Sequence, residues 1–320
     1  MHKLLQTGRH AQRSYASAAP GMPSTSALAV FDRQTKHAQR VRSVRDPVLS
    51  RQTDYVKDAV AENMIDRLLD IKRRYPKVVD FGSGAGHLAK FLDPDITQSV
   101  LMVDTCRPLL ERDRSVEYAL PVERLLIEDI ERLPFEPNSL DVVMSSLALH
   151  WVNDLPGVLF QLQRALRPDG VLIASLLGGD TLFELRTSLQ LAEMEREGGL
   201  SPHISPMTDS RSMSNLLSRA NFALPAVDVD EIVINYPSIF ELVHDLQLMG
   251  ENNAVVNRRN FLKRDTLLAA GAIYKELHGN EDGTIPATWQ VIYGIGWKPS
   301  PTQPKPLERG SAKQSLKDIL

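Results

Sequence analysis

The chain has 320 residues, of which 42% are apolar and 24% charged, so it can bury a full hydrophobic core in one large or two modest domains. Its formal net charge of −3 creates no overall basic field, and we therefore expect no binding to nucleic acid. Its longest apolar runs fall short of the roughly 20 residues that a membrane-spanning helix needs, which predicts a soluble globular protein. The single cysteine, Cys106, excludes an internal disulfide and a multi-cysteine metal site.

The N-terminal residues differ in composition from the rest of the chain, because no Asp or Glu precedes Asp32. Lys3, Arg9 and Arg13 supply positive charge among Ser, Ala and Leu, which is typical of a mitochondrial transit peptide. We predict a transit peptide over residues 1–25, with a processing position after Tyr15 as one candidate. A disordered N-terminus without a targeting role is the alternative.

A basic segment follows at residues 26–53. Its acidic residues are Asp32 and Asp46, and its cationic residues are Arg33, Lys36, Arg40, Arg42, Arg45 and Arg51. Two interpretations stay open, a solvated surface or a lid that closes over a ligand or partner.

The remainder alternates predicted strands and helices, which favours parallel βαβ units covered on both faces. Apolar residues recur with helical spacing from Asp54 to Arg74, and a short apolar strand, Lys77 to Phe81, comes next. The other predicted strands are Ser99 to Val103, Val122 to Ile127, Leu140 to Ser145, Gly170 to Leu177, Val227 to Ile234 and Gln290 to Trp297. The other predicted helices are Ala85 to Leu92, Pro108 to Asp113, Leu155 to Leu166, Thr181 to Arg196, Ser210 to Arg219, Ile239 to Met249 and Phe261 to Leu277.

These elements predict an α/β fold with a doubly wound, Rossmann-like sheet of seven mostly parallel strands. The main domain covers residues 54–298, with helical insertions at about 178–225 and 236–285. The tail at 299–320 is rich in Pro, Lys and Ser, which predicts a flexible segment.

A glycine-dense turn, Gly82-Ser83-Gly84-Ala85-Gly86, follows the strand that ends at Phe81. Glycines allow a ligand to approach the backbone closely. The dinucleotide-binding pattern needs a third glycine at position 87, which is His87 here. Asp80 precedes the first glycine by two residues, where its carboxylate could meet a cationic aminoacyl group. The turn alone is a weak signal, since a tight turn in any α/β protein can have this spacing.

Three further motifs lie at the ends of the next predicted strands. Asp104 ends the strand after the glycines, where an acid can accept hydrogen bonds from both hydroxyls of a ribose. Asp129 could accept a hydrogen bond from the adenine amine while Ile130 packs on the ring. Ser145 begins a loop that faces the reactive end of such a cofactor.

With these four motifs in order, the stretch from Asp54 to Leu177 resembles the class I S-adenosylmethionine-dependent methyltransferase superfamily. The resemblance implies S-adenosylmethionine as the cofactor. The residues that it implies as contacts are Asp80, Gly82, Ser83, Gly84, Gly86, Asp104, Thr105, Asp129, Ile130 and Ser145.

From Phe31 to Lys298 the chain also resembles the mitochondrial complex I assembly factor family. The segments that carry this resemblance are Gly178 to Arg186, Glu193 to Pro206, Asn235-Tyr236-Pro237, Asp245 to Asn252, Arg264 to Ala270, Pro286 to Gln290 and Phe31-Asp32-Arg33. The resemblance implies a protein-arginine hydroxylase on the matrix side of the mitochondrial inner membrane, with at most peripheral membrane contact. Its partners would be an iron-sulfur core subunit of complex I and other assembly factors. A more distant resemblance is to the malonyl carrier-protein methyltransferase of biotin synthesis.

No catalytic group follows from the pattern alone. His150, Trp151, Asp180 and Glu184 are weak candidates, and no metal-binding triad can be assembled from the sequence. Five carboxylates could hold a substrate guanidinium, and we expect one or two of them near the mouth of the site. They are Asp180, Glu184, Glu241, Asp245 and Glu251.

Three functions stay open at this stage. The chain could be an arginine hydroxylase, a methyltransferase that acts on a protein or a carrier-bound acid, or a cofactor-binding assembly chaperone without chemistry.

Overall fold

The computed structural model describes residues 29–259, 261–304 and 310–311. Seven strands of the described chain form one sheet in the order β3-β2-β1-β4-β5-β7-β6. Their bounds are β1 Val78–Phe81, β2 Val100–Asp104, β3 Val122–Leu126, β4 Leu140–Ser146, β5 Leu166–Leu177, β6 Ala223–Tyr236 and β7 Ile285–Trp297. Strands β1 to β5 pair in parallel, and β7 is antiparallel to both β5 and β6. The predicted fold class is confirmed.

Helices cover both faces of this sheet. The α-helices of the described residues are α1 Arg33–Ser43, α2 Pro47–Gln52, α3 Tyr55–Leu69, α4 Arg107–Arg112, α5 Leu155–Ala165, α6 Phe183–Glu197, α7 Ser210–Arg219, α8 Ile239–Met249 and α9 Arg264–His278. No helix within the described ranges is both long enough and apolar enough to cross a membrane.

The core lies in two layers, because successive residues of a strand point to opposite faces of a sheet. Val78 and Val100 pack into one buried cluster with side chains of α3, α6 and α8. Val79 and Leu101 pack into a second cluster with side chains of α5 and α7. The carboxyl ends of β1 to β4 therefore lie at one edge of a sheet that is buried on both sides.

The predicted helix from Ala85 to Leu92 is wrong, since the structure has only a short 3₁₀ turn at Leu88–Lys90. Gly86, the second residue of the predicted helix, has a φ angle of +90°, which is incompatible with a right-handed helix. Pro94 also disfavours a helical conformation at Asp93, so any helix here is confined to His87 to Leu92.

The basic segment is helical, which the sequence analysis did not predict. Asp32 caps α1 by accepting a hydrogen bond of 3.0 Å from the Thr35 backbone N–H. Asp46 caps α2 in the same way, with a bond of 2.9 Å from Val48 N–H, and Pro47 begins the helix. The predicted transit peptide and most of the predicted tail lie outside the described residues.

Candidate functional site

A cavity of about 920 Å³ lies at the carboxyl ends of β1 to β4. This position is where open α/β sheets bind ligands, and the volume falls within the range of small-molecule sites. The glycine turn forms one wall of the cavity and α1 forms another.

The three glycines of the turn have different packing roles. A Cβ atom on Gly82 would stand 2.3 Å from Cβ of Ala148, and one on Gly86 would stand 2.7 Å from Cε of Met102. A Cβ on Gly84 would meet no atom within 4 Å, so Gly84 borders the open cavity. Packing against Ala148 therefore favours glycine at the first position, the positive φ of +90° favours it at the third, and the second position leaves room for a ligand.

Asp80 is the unusual acidic group of the cavity. Its side chain is buried, and neither carboxylate oxygen has a hydrogen-bond partner among the described residues. Burial, together with the nearby charge of Asp104, raises the pKa of Asp80 well above its ordinary value. A buried carboxylate without partners is costly, and a bound cation would relieve that cost.

Asp104 lies beside Asp80, does not itself line the cavity, and is fully paired. Its Oδ2 accepts hydrogen bonds from Gly84 N–H at 2.8 Å and from Arg40 Nη2 at 2.7 Å, and its Oδ1 accepts one from Cys106 N–H at 2.7 Å. Burial raises the pKa of Asp104, but Arg40 and the backbone donors outweigh that effect and lower it. Asp104 is therefore the ionised member of the two neighbouring acids.

The other predicted cofactor contacts divide between the cavity and its surroundings. Ile130, Ser83 and Thr105 line the cavity, and the Ser83 hydroxyl has no partner within the described chain. Asp129 and Gly86 do not line it. The Asp129 carboxylate forms an ion pair with Arg33, and Gly86 packs against Met102. Ser145 is buried behind the wall, since β4 extends one residue further than predicted and places Ser146 at the cavity instead.

Helix α1 brings three cations to the acids of the site. Arg33 pairs with Asp129, Lys36 with Glu251, and Arg40 with Asp104. Sequence reasoning identified this basic segment but not these partners. The spacing i, i+3, i+7 places the three cations on one helical face, and this signal could have identified them.

Of the catalytic candidates from the sequence, some lie at the cavity and others lie away from it. Trp151 lines the cavity, and His150 is buried next to it with both ring nitrogens unpaired by hydrogen bonds among the described atoms. Asp180 is exposed and accepts a hydrogen bond of 3.0 Å from Gln290. Glu184 is buried and bonded to the hydroxyl and backbone N–H of Thr288. Asp180 and Glu184 therefore do not line the cavity.

Glu251 reaches the cavity from the segment after α8. Of the five carboxylates considered for a guanidinium, it alone lines the cavity in the part of the chain that the structure describes. Its Oε2 accepts a hydrogen bond of 2.8 Å from Nε1 of Trp151, and its two oxygens lie 3.5 Å and 3.4 Å from the amines of Lys36 and Lys57. Burial raises the pKa of Glu251, but the two lysines outweigh it and lower the pKa well below its ordinary value.

Within the described ranges, one set of three side chains could supply metal ligands. The ligand atoms of Asp54, Asp58 and His87 lie within 4.8 Å of one another. Both carboxylates are already neutralised, because Lys90 pairs with each of them and Arg112 pairs with Asp54. We therefore interpret this set as an ion-pair network beside the cavity.

The fold, the glycine turn and the strand-end acids define a methyltransferase-type α/β domain. A family model described as a methyltransferase domain matches residues 79–174. A solved structure of a candidate methyltransferase from Bacillus halodurans superposes with a TM-score of 0.52 at 17% identity, and the match covers 73% of this chain and 98% of that one.

Two curated relatives indicate which kind of methyltransferase-type protein this chain resembles. The mitochondrial arginine-hydroxylase NDUFAF5 of Rattus norvegicus is 46% identical over 317 residues, which cover 98% of this chain and 91% of the relative. A malonyl-[acyl-carrier protein] O-methyltransferase of Laribacter hongkongensis is 34% identical over 263 residues, which cover 78% of this chain and 85% of the relative. The chain belongs to the family of the mitochondrial arginine-hydroxylase NDUFAF5.

Proposed function

We propose that the chain is an S-adenosylmethionine-binding arginine hydroxylase that acts in the assembly of mitochondrial respiratory complex I. The observation that carries this proposal is the identity of 46% with an arginine-hydroxylase over 98% of the chain, which includes the insertions outside the methyltransferase domain. The client would be an iron-sulfur core subunit, with other assembly factors as partners. The protein would act on the matrix side of the inner membrane, with at most peripheral contact with it.

The cavity fits S-adenosylmethionine by charge and shape. Asp80 would face its cationic aminoacyl group, since both carboxylate oxygens are free of other hydrogen bonds among the described residues. Asp104 is paired with Arg40, which lines the cavity, and would accept the ribose hydroxyls once Arg40 moves aside. Gly84 would let the cofactor approach the backbone closely, and Ile130 would pack on the adenine. When bound, the cofactor supplies an activated methyl group and a positive charge.

The raised pKa of Asp80 predicts that cofactor binding releases a proton. A cation beside the carboxylate favours its ionised form, so the pKa of Asp80 falls on binding from the raised value of the free protein. Between these two pKa values the affinity for S-adenosylmethionine should rise with pH, by at most about tenfold per pH unit for one proton. Titration calorimetry in buffers with different ionisation enthalpies measures the release directly.

The matched control for this prediction is Asp80→Asn, which has the same shape but cannot ionise. It should bind more weakly at high pH and should release no proton. Equal proton release in the wild type and in Asp80→Asn would assign the titration to another group.

Hydroxylation would insert one oxygen atom between a hydrogen of the client arginine and the atom that carries this hydrogen. With dioxygen as the oxidant, the second oxygen atom leaves as water and consumes two electrons and two protons from a reductant. The residues of this chain would bind and orient the arginine and keep bulk water away from it. Cofactor and client would meet at the cavity wall that Trp151 and Glu251 form.

The test is the mass of the client after incubation with the full chain, S-adenosylmethionine, dioxygen and a reductant. A gain of one oxygen atom on an arginine supports the proposal. An unmodified client under every condition contradicts it and favours a chaperone without chemistry.

A methyltransferase is the second candidate, because the chain is also 34% identical to a malonyl-[acyl-carrier protein] O-methyltransferase. In the same experiment this function would add one methylene to the client or to a carrier-bound acid. It would also produce S-adenosylhomocysteine in equal amount.

The names of the relatives place them in mitochondria, which supports a mitochondrial localisation of this chain. We predict that a chain without residues 1–25 stays outside the organelle in an import assay, whereas the full chain reaches a protease-protected matrix fraction. Import of the truncated chain would contradict the predicted transit peptide.

A further inference from the structure

A second cavity, of about 480 Å³, lies on the other side of Trp151 and Glu251. These two residues line both cavities, and α1 lines the first with Lys36 and Arg40 and the second with Gln39 and Arg42. The remaining walls of the second cavity come largely from the helical insertions, within residues 181–189, 202–207 and 243–253. Trp151 and Glu251 are thus the point at which a molecule in the second cavity would reach the cofactor cavity.

A cation already sits at this point. Nζ of Lys36 lies 3.2 Å from the centroid of the Trp151 ring, 2.7 Å from the Gly250 carbonyl oxygen and 3.5 Å from Oε2 of Glu251. An aromatic face, a carbonyl and a carboxylate together are the environment that binds an organic cation. Lys36 therefore marks a built cation site.

Lysine is a weak occupant of such a site. Burial lowers the pKa of Lys36 to about 7 against the attraction of Glu251, so its positive charge is costly to keep in this position. A guanidinium keeps its charge, stacks flat on an aromatic ring and can bond a carboxylate through two N–H groups. It also sheds its water more readily than an ammonium does.

The surroundings contain polar groups that a ligand could satisfy. The indole N–H of Trp289, which lines the second cavity, has no hydrogen-bond partner within the described residues. His150 is buried, and its Nε2 lies 3.7 Å from Oε2 of Glu251, beyond hydrogen-bonding distance. Burial lowers the pKa of His150 despite the attraction of Glu251, so protonated His150 is disfavoured beside the cations Lys36 and Lys57.

We propose that Trp151, Glu251 and the Gly250 carbonyl bind the guanidinium of the substrate arginine, and that Lys36 fills this site until the substrate displaces it. This inference rests on the proposed function and names the residues that would position the arginine. Lys36 occupies the face of Trp151, so the client segment would enter through the second cavity as Lys36 withdraws. Glu251 is a positioning carboxylate for the guanidinium, and Lys36 is its intramolecular competitor.

The test measures binding of N-acetyl-arginine amide to the full chain by NMR titration, without any turnover. The neutral isostere N-acetyl-citrulline amide serves as the comparison ligand. Glu251→Gln should weaken binding of the arginine compound by about tenfold to a hundredfold, because a charge-assisted bond is lost, and should leave the citrulline compound unaffected. Lys36→Met should strengthen binding of the arginine compound, because the competitor is removed.

Glu241→Gln is the matched control, because Glu241 is exposed on α8 and lines neither cavity. It should leave both affinities unchanged. Unchanged arginine affinity in Glu251→Gln, or an equal loss for the citrulline compound, would overturn the proposal. If Glu251→Gln does not fold, Lys36→Met is the decisive variant. Weaker or unchanged binding of the arginine compound in Lys36→Met would contradict the proposal that Lys36 competes with the guanidinium.

Measurements of oxygen incorporation distinguish the proposed guanidinium site from the proposed hydroxylase function. With the client present, Glu251→Gln should raise KM for oxygen incorporation far more than it lowers kcat. A client that gains no oxygen even with the wild type would contradict the hydroxylase function but leave the cation site to be judged by binding. Wild-type oxygen incorporation with an unchanged KM in Glu251→Gln would contradict the site alone.

Discussion

Asp104→Ala is expected to lower the affinity for S-adenosylmethionine by more than about a hundredfold, because two charge-assisted hydrogen bonds of roughly 1.5–3 kcal/mol each are lost. Asp104 is buried and ionised, and backbone N–H groups of Gly84 and Cys106 fix its orientation. Its carboxylate is thus held in place before a ribose arrives. Titration calorimetry on the full chain measures the loss, and Asp104→Asn should fall between the wild type and Asp104→Ala.

Arg40→Met is the matched variant for Asp104→Ala, because it breaks the same ion pair from the other side. Arg40 Nη2 lies 2.7 Å from Oδ2 of Asp104, where it competes with a ribose hydroxyl. Arg40→Met should therefore raise the affinity. An affinity for Asp104→Ala within a few-fold of the wild type would mean that the carboxylate serves only to hold Arg40 and α1.

The cations of α1 lie between the first cavity and the second. Arg40 pairs with an acid predicted to hold the ribose, and Lys36 sits at the wall shared with the second cavity. A ligand that displaces either cation weakens the attachment of the same helix. Binding of cofactor and of client arginine should therefore favour each other, which makes the affinity of one in the presence of the other a measurable coupling.

The part of the site that the sequence predicted is the part encoded by neighbouring residues. A short apolar strand followed by closely spaced glycines was sufficient to predict the turn at Gly82 to Gly86. The next strand, with an acid at its end, was sufficient to predict that Asp104 lies near that turn. The order of strands and helices likewise specifies the sheet, since crossover connections between parallel strands have one preferred hand.

The remaining features depend on contacts between distant parts of the chain. Lys36 and Glu251 are 215 residues apart, and no local pattern pairs them. Glu184 is on a helix and could have been exposed, but Thr288, which is 104 residues away on β7, buries it. Ser145 lies inside β4 and is buried, whereas Ser146 at the end of the strand lines the cavity, and the sequence does not fix where the strand ends to within one residue.

Arg112→Met is expected to destabilise the fold by about 3–5 kcal/mol, because it leaves buried carboxylates with an incompletely compensated charge. The Arg112 side chain is only 2% exposed. Its guanidinium bonds both oxygens of Asp54 and also lies 2.7 Å from Oδ2 of Asp113. Lys90 at 3.3 Å from Asp54 and Arg51 at 2.8 Å from Asp113 remain in the variant, which places the expected cost toward the lower end of that range.

Denaturant unfolding of the full chain measures this cost, and Arg107→Met on the same helix provides the control. Arg107 is 65% exposed and pairs with Glu111 at 3.3 Å one helical turn away, so the same substitution there should cost less than about 0.5 kcal/mol. The two substitutions remove the same guanidinium from α4 and differ mainly in burial. Equal costs for both variants would mean that the buried network beside the cavity contributes no more to stability than a surface ion pair does.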